Sequence, residues 1–338
     1  MIHYLYSPNH KRHYPPHEVF NGDYDTAQEV PDRATSIFKA LNRERFKRVG
    51  HFSSVPRSIL NKIHNAEYLE FLKATCEDLG TSEYLYPSVW SYSPDAQYPT
   101  NGSQVALLGS YIFDTYTPLL RNTYAAAIES ASLAYSAAKL IHTYPEETFY
   151  ALCRPPGHHA TAAMAGGYCY INNAAVAAQY LSKYGKVAIL DVDFHHGNGT
   201  QHIFYERNDV LTVSIHADPN WKFPFYSGFA DEIGVGEGKG FNRNYPLPKG
   251  TADKPYDQTL QKALANIHKF QPRYLIVSYG ADTHIADPIG GFQLSTNYFT
   301  QMGKKINSIA IPTVIVQEGG YNNEHLGKNV TAFLKGFV

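Results

Sequence analysis

Five short runs in this 338-residue chain gather residues that could do acid, base or metal chemistry. In order they read Arg154-Pro-Pro-Gly-His158-His159, Asp191-Val-Asp193-Phe-His195-His196-Gly-Asn198-Gly, Ser214-Ile-His216-Ala-Asp218, Ser278-Tyr-Gly-Ala-Asp282-Thr and Glu318-Gly-Gly-Tyr321. Asp193 and His195 stand two apart, so on extended backbone their side chains project to the same side and can grip one cation. Asp191 shares that side. With Asp282 they make an Asp, His, Asp set that leaves a coordination position open, the pattern of a catalytic zinc rather than a structural one. A cation held this way polarises a carbonyl and acidifies water, which is hydrolytic chemistry. Imidazole and carboxylate donors suit iron(II) and cobalt(II) as well as zinc, so ligand type does not choose among them.

Each run taken alone has a plainer reading. Asp-x-Asp-x-His could be a solvated turn, His158 and His159 two structural histidines, Asp282 a helix N-cap, and Tyr321 the end of a turn. What favours the chemical reading is shared position. From about residue 120 the chain alternates short β-branched or apolar runs with amphipathic helical patterns, the rhythm of βαβ units building a parallel sheet. Strands are expected at 148–152, 186–190, 210–215, 274–278 and 313–317, with another at 2–6, and helices at 123–141, 172–184, 254–270 and 296–309. Each of the five later strands runs into one of the polar clusters. Ligands of open α/β sheets bind at the carboxyl ends of strands, so the clusters should meet in one cleft. His196 and His216 are expected to pack or orient neighbours rather than ligate.

Two stretches break the rhythm: 82–122, dense in Tyr, Ser and Pro, and 218–251, dense in Gly and Phe. Both are expected to be long loops of the kind that build lids, pocket walls or subunit contacts. No repeat or linker divides the chain, so residues 1–338 are expected to form one domain. The 29 basic and 30 acidic side chains nearly cancel and form no basic block, which argues against nucleic acid or a membrane surface as partner. The start of the chain is polar and no apolar run approaches the length of a membrane span, so a cytoplasmic location is expected. Three cysteines at uninformative spacing suggest neither disulfides nor a thiolate metal site. The 16 His and 27 Tyr fit a metal site and an aromatic-walled pocket.

The runs RPPGHHA, DVDFHHGNGTQ, GADTHIADP and EGGY, in this order and spacing, resemble the zinc-dependent histone deacetylase superfamily. GGYCYINNAAVAAQ at 166–179, together with Asn198, looks most like its bacterial acetylpolyamine amidohydrolase branch and also agrees with class II deacetylases. The resemblance implies a three-layer arginase/deacetylase-like α/β fold, with a mostly parallel eight-stranded sheet and helices on both faces. It implies Asp193, His195 and Asp282 as metal ligands and His159, oriented by Asn198, as general base. His158, paired with Asp191, would be nearer to imidazolium, and Tyr321 would donate to the oxyanion. It also implies a structural potassium ion on Asp191, carbonyls of Asp193 and His195, and Ser214. A narrow substrate tunnel would be walled by Gly167, Tyr168 and either Phe225 or Tyr226, although Tyr168 could equally be core. In the polyamine enzymes acidic residues of the insertion, here about 82–122, meet the distal ammonium groups, and Asp114 is the nearest candidate. The implied function is deacetylation of a small acetylated amine by a homodimer, with acyl-lysine in proteins as the second substrate class. An arginase-type two-manganese site would need an Asp-x-His-x-Asp run that is absent at 191–195. A catalytically inactive binding protein of the same fold would require a broken site, and none of the motifs is broken.

Overall fold

The computed structural model describes residues 2–91 and 104–338. Eight strands form one sheet in which every neighbouring pair is parallel. In chain order they are β1 (Ile2–Leu5), β2 (Lys47–Arg48), β3 (Thr148–Ala151), β4 (Val187–Asp191), β5 (Val210–Ala217), β6 (Asn242–Leu247), β7 (Tyr274–Tyr279) and β8 (Thr313–Gln317). Across the sheet they lie β6-β5-β4-β7-β8-β3-β1-β2.

Parallel strands covered on both faces have no polar side, and β3, β4, β7 and β8 are buried at every position. Alternation divides their side chains between two cores. Phe149, Ile189, Ile276 and Val314 join one, packed with the helices Ala66–Asp78, Thr123–Thr143 and Asn173–Leu181. Tyr150, Leu190, Val277 and Ile315 join the other, under Pro31–Arg43, Asp253–Phe270, Thr296–Asn307 and Asn323–Lys335. Ala131, Ala134 and Ala138 of one helix and Ala174, Ala177 and Ala178 of its neighbour are fully buried, small side chains that let these two helices lie close.

The strand order creates the site. From β3 the chain crosses to β4, builds outward through β5 and β6, then returns to lay β7 and β8 between β4 and β3. The connections leaving β4 and β7 therefore diverge, and the crevice at their carboxyl ends is a topological switch point.

All the strands and helices expected from residue 120 onward are present, within a few residues of their expected ends. The stretch 218–251 differs from expectation: it holds a sheet-edge strand, β6, whose Asn-Arg-Asn-Tyr-Pro-Leu sequence lacks β-branched residues and is tolerated because an edge can hold a proline. The other expected loop contains the helix Gln104–Tyr111 and a two-residue strand pair, Tyr84–Leu85 with Leu119–Leu120. Its residues 92–103 lie outside the described residues.

His64, buried at 2% exposure, ties this scaffold to the site-bearing loops. Its Nδ1 donates to the Thr161 carbonyl at 2.8 Å and its Nε2 accepts from the Asn172 amide at 3.0 Å. Burial lowers its pKa from 6.5 to about 4, so the fold holds the neutral ring. Its contribution to stability is complete above pH 6.5 and is lost as pH falls toward 4, a change of about 3 kcal/mol. His64→Gln keeps a donor and an acceptor but does not titrate. The stability difference between wild type and this variant, from urea unfolding, should therefore shrink by that amount between pH 7.5 and pH 4. A difference that does not vary with pH would refute the assignment.

Candidate active site

Beyond β4 the backbone makes consecutive turns closed by its own carboxylates: Asp191 Oδ1 accepts from the Asp193 amide at 3.1 Å and Asp193 Oδ1 from the His195 amide at 2.8 Å. Asp282 arrives just past β7, its Oδ1 accepting from the Phe194 amide at 3.0 Å. The Gly319 amide donates to Asp193 Oδ2 at 2.8 Å. Gly280 and Gly319 approach the two carboxylates so closely that a Cβ on either would overlap them, which is why glycine stands at both positions.

Ligand atoms of Asp193, His195 and Asp282 all lie within 4.8 Å of one another, and all three residues are buried. His195 turns its Nδ1 to Asp282 Oδ2 at 3.0 Å and to Asp193 Oδ1 at 3.5 Å. Two buried carboxylates this close cannot both stay charged without compensation. Burial and then Asp193 push Asp282 up to about 7. For Asp193 burial is outweighed by the imidazoles of His158 and His195, which hold its carboxyl low. A divalent cation between two carboxylates and an imidazole neutralises both, so the donor set fits one. A second group, His158, Cys169 and Glu318, is equally compact. In this group Cys169 is a thiol held protonated by burial and Glu318 Oε2 accepts from the Gly157 and His158 amides at 2.7 and 3.2 Å, while Glu318 Oε1 has no hydrogen-bond partner among the described residues.

The two adjacent histidines differ in charge. His158 Nδ1 faces Asp191 Oδ2 at 2.9 Å, and although burial opposes the charge, Asp193 and Asp191 raise the pKa to about 10. His159 meets the neutral Asn198 Oδ1 at 2.7 Å, and burial followed by His158 and His195 depresses it well below the usual range. The carbonyl of Asn198 takes the Nδ1 proton, leaving Nε2 as the basic nitrogen.

His159, His195 and Tyr321 line one cavity of ≈ 320 Å³, together with Glu18, Phe20, Tyr116, Gly167, Tyr168, Trp221, Lys222, Phe223, Phe225 and Ile289. Gly167, at φ +54°, has no room for a side chain because a Cβ there would strike the His159 ring. Tyr321 is fixed from three directions. Its amide donates to Asp287 Oδ2 at 2.7 Å, its ring lies 4.5 Å from the Arg33 guanidinium, and Arg33 holds the Gly320 and Glu318 carbonyls at 2.6 Å each. Arg33 is itself fixed at 2.6 Å by the buried Glu29, which also meets Arg154 at 2.8 Å.

The sequence profile of the histone deacetylase domain matches residues 27–337. The chain belongs to the histone deacetylase family. It is 39% identical to acetylpolyamine amidohydrolase 2 of Pseudomonas aeruginosa and 38% identical to the acetylpolyamine amidohydrolase of Mycoplana ramosa, in each case over 98% of both chains. The crystal structure of acetylpolyamine aminohydrolase from Burkholderia pseudomallei superimposes with a TM-score of 0.93 at 35% identity, covering 100% of this chain and 98% of that one. Membership makes the chain an amide-cleaving hydrolase of a family whose chemistry uses a metal.

Against this histone deacetylase frame, two of the expected tunnel residues lie elsewhere. Tyr226 is 93% exposed and lines no part of the cavity; Phe223 takes that role beside Phe225, two residues away along the loop. The Phe223 ring meets that of His159 edge-on at 5.0 Å. Asp114 is buried away from the cavity, where its carboxylate accepts from the Gly167 amide at 2.5 Å and the Tyr116 amide at 3.0 Å and burial pushes it up to about 6. The acidic group that does line the cavity is Glu18, on the hairpin strand His17–Phe20, accepting from the Tyr168 hydroxyl at 2.8 Å. Tyr168 is thus a half-buried wall residue outside both hydrophobic cores. His216 orients a neighbour as expected: its Nε2 donates to the Gly228 carbonyl at 2.9 Å, so its Nδ1 accepts from Ser214 Oγ at 2.7 Å. Glu18, Arg33, Lys222 and Asp287 belong to no run singled out for chemistry, apart from Asp287 within GADTHIADP.

Proposed function

We propose that the chain, acting as one catalytic domain, removes acetyl groups from small acetylated amines, with acetylpolyamines as the first substrate class. The observation that carries this is that His195, clustered with the buried Asp193 and Asp282, lines one aromatic-walled cavity together with His159 and Tyr321. The full-length relatives named for acetylpolyamines support the substrate class.

Asp193, His195 and Asp282 would hold the metal, with zinc as first choice and iron(II) or cobalt(II) also compatible with the donors. When bound, the ion would supply Lewis acidity toward the amide carbonyl and the attacking water. His159 Nε2 takes a proton from that water as its oxygen bonds to the carbonyl carbon. His158, held as imidazolium by Asp191 and Asp193, offsets the negative charge that develops. Tyr321 donates to the oxyanion, and its fixed loop means little reorganisation is needed at that moment. The carbon–nitrogen bond then breaks, His159 returns its proton to the leaving nitrogen, and acetate and the free amine result.

Phe223, Phe225, Tyr168 and Tyr116 suit the aliphatic arm, and Glu18 suits an ammonium at its far end. A structural potassium ion is supported by Ser214, whose hydroxyl proton is spent on His216 and whose lone pairs remain for a cation near Asp191. The exposed aromatics Phe20, Tyr24, Tyr84 and Trp90, gathered around the hairpin and the 82–122 segment, suit a second copy of the chain as partner. No helix among the described residues is long and apolar enough to cross a membrane, and the cytoplasm is the proposed compartment.

Purified, metal-loaded enzyme should release acetate from N-acetylputrescine and N-acetylcadaverine. A chelator should abolish the release and zinc, iron(II) or cobalt(II) should restore it. Release confined to acetyl-lysine peptides would move the substrate to the acyl-lysine class, and no release from any acetylated amine would refute the reading.

A further inference from the structure

Lys222 is a lining residue that hydrolysis of a simple cationic amine does not explain. It lies on the loop after β5 with its ammonium 5.6 Å from the centroid of Phe194, the ring between the ligands Asp193 and His195. It is half-buried, and it makes no ion pair with any carboxylate among the described residues. Burial lowers its pKa, opposed by the more distant charges of Asp282 and Asp287. The Phe194 ring offsets part of the cost of desolvating this ammonium, and an anionic or carbonyl oxygen approaching it would offset more.

The same cavity carries Glu18. Its described lining therefore includes one acidic residue, Glu18, held by the Tyr168 hydroxyl, and one lysine, Lys222, beside the aromatic rings of Phe20, Tyr116, Phe223 and Phe225. A polycation in this space is attracted by Glu18 and repelled by Lys222. A substrate whose far end carries both an ammonium and a carboxylate meets a complementary charge at each. We propose that Lys222 is a specificity-determining residue that tilts the cleft toward amphoteric acylated amines, the ω-N-acyl amino acids, and away from polycations. The inference rests on the amidohydrolase reading above and adds a charge preference among its small acetylated amines, directed against the most highly charged acetylpolyamines. The rival role for Lys222 is a background charge that offsets Asp282 and Asp287, and that role would shift all substrates alike.

The test compares kcat/KM for free Nε-acetyl-lysine and for N-acetylspermidine in wild type, Lys222→Gln and Lys222→Arg, with thermal unfolding confirming that each variant is folded. Lys222→Gln should lower the ratio of the first to the second by about tenfold, from lost attraction and relieved repulsion together. Lys222→Arg should restore the ratio, and added salt should compress the difference between wild type and Lys222→Gln. A ratio that Lys222→Gln leaves within about a factor of two overturns the proposal. Hydrolysis of N-acetylputrescine by wild type separates the two failures. If it proceeds while the ratio does not move, charge selection alone is wrong; if no substrate is hydrolysed, the amidohydrolase reading fails and takes this one with it.

Discussion

Asp193→Ala should yield a folded protein with almost no bound metal and with turnover of acetylated amines reduced by at least about a thousandfold. The expectation follows from what Asp193 does in the structure. It is one of the two carboxylates that would hold the ion, it accepts from the Gly319 and His195 amides, and it helps hold His158 in its charged form. Alanine removes all of these at once and leaves Asp282 facing His195 alone. Metal content by elemental analysis, acetate release and far-UV circular dichroism on the same sample separate loss of the ion from loss of the fold. A variant that keeps a full equivalent of metal and measurable turnover would show that the ion lies elsewhere.

Tyr321→Phe should leave metal content and KM nearly unchanged while kcat falls by about a hundred- to a thousandfold, the usual cost of one oxyanion donor. Phenylalanine preserves the ring that Arg33 covers and that packs 5.6 Å from the Tyr168 centroid, so the loop should keep its shape. Only the hydroxyl is lost. Because the donation strengthens as charge develops, the effect should appear in kcat rather than in substrate affinity. Unchanged turnover would remove Tyr321 from the chemistry, and an equal rise in KM would make it a substrate-binding residue instead.

The parts of this architecture that sequence reveals are those governed by short-range rules. Strands β3, β4, β7 and β8 are largely apolar runs because both faces of the sheet are covered, β5 is buried throughout although Thr212, Ser214 and His216 alternate with its apolar residues, and the polar clusters that follow these strands share one cleft because parallel strands end on the same side. The spacing of Asp193 and His195 pairs them only on extended backbone, whereas in the structure they meet through the turns that follow β4. What escaped was set by long-range packing. Glu18 reaches the cavity from a hairpin far away in the chain through its bond to Tyr168. Arg33 acts on backbone carbonyls of the Glu318–Gly320 segment, which leave no mark in side-chain patterns. Strand β6 has the composition of a loop and becomes a strand because β5 offers it an open edge. The choice between Phe225 and Tyr226 as a wall turned on which way one loop residue faces, and Phe223 was overlooked for the same reason. Asp114 is acidic and in the anticipated segment, but the amides of Gly167 and Tyr116 claim its carboxylate.

The path of the chain through its sheet also has a consequence for biosynthesis. Asp193 and His195 emerge with β4, whereas Asp282 emerges only after β5 and β6 have been laid outward and β7 has been inserted beside β4. Two of the three donors of the candidate ion position thus precede the third by some ninety residues of chain, and Asp282 comes into register with them only through the inward return of the chain. The candidate ion position is therefore complete only once β7 lies beside β4, so a chain ending before residue 282, or one whose β7 pairs elsewhere, would lack one of its three donors.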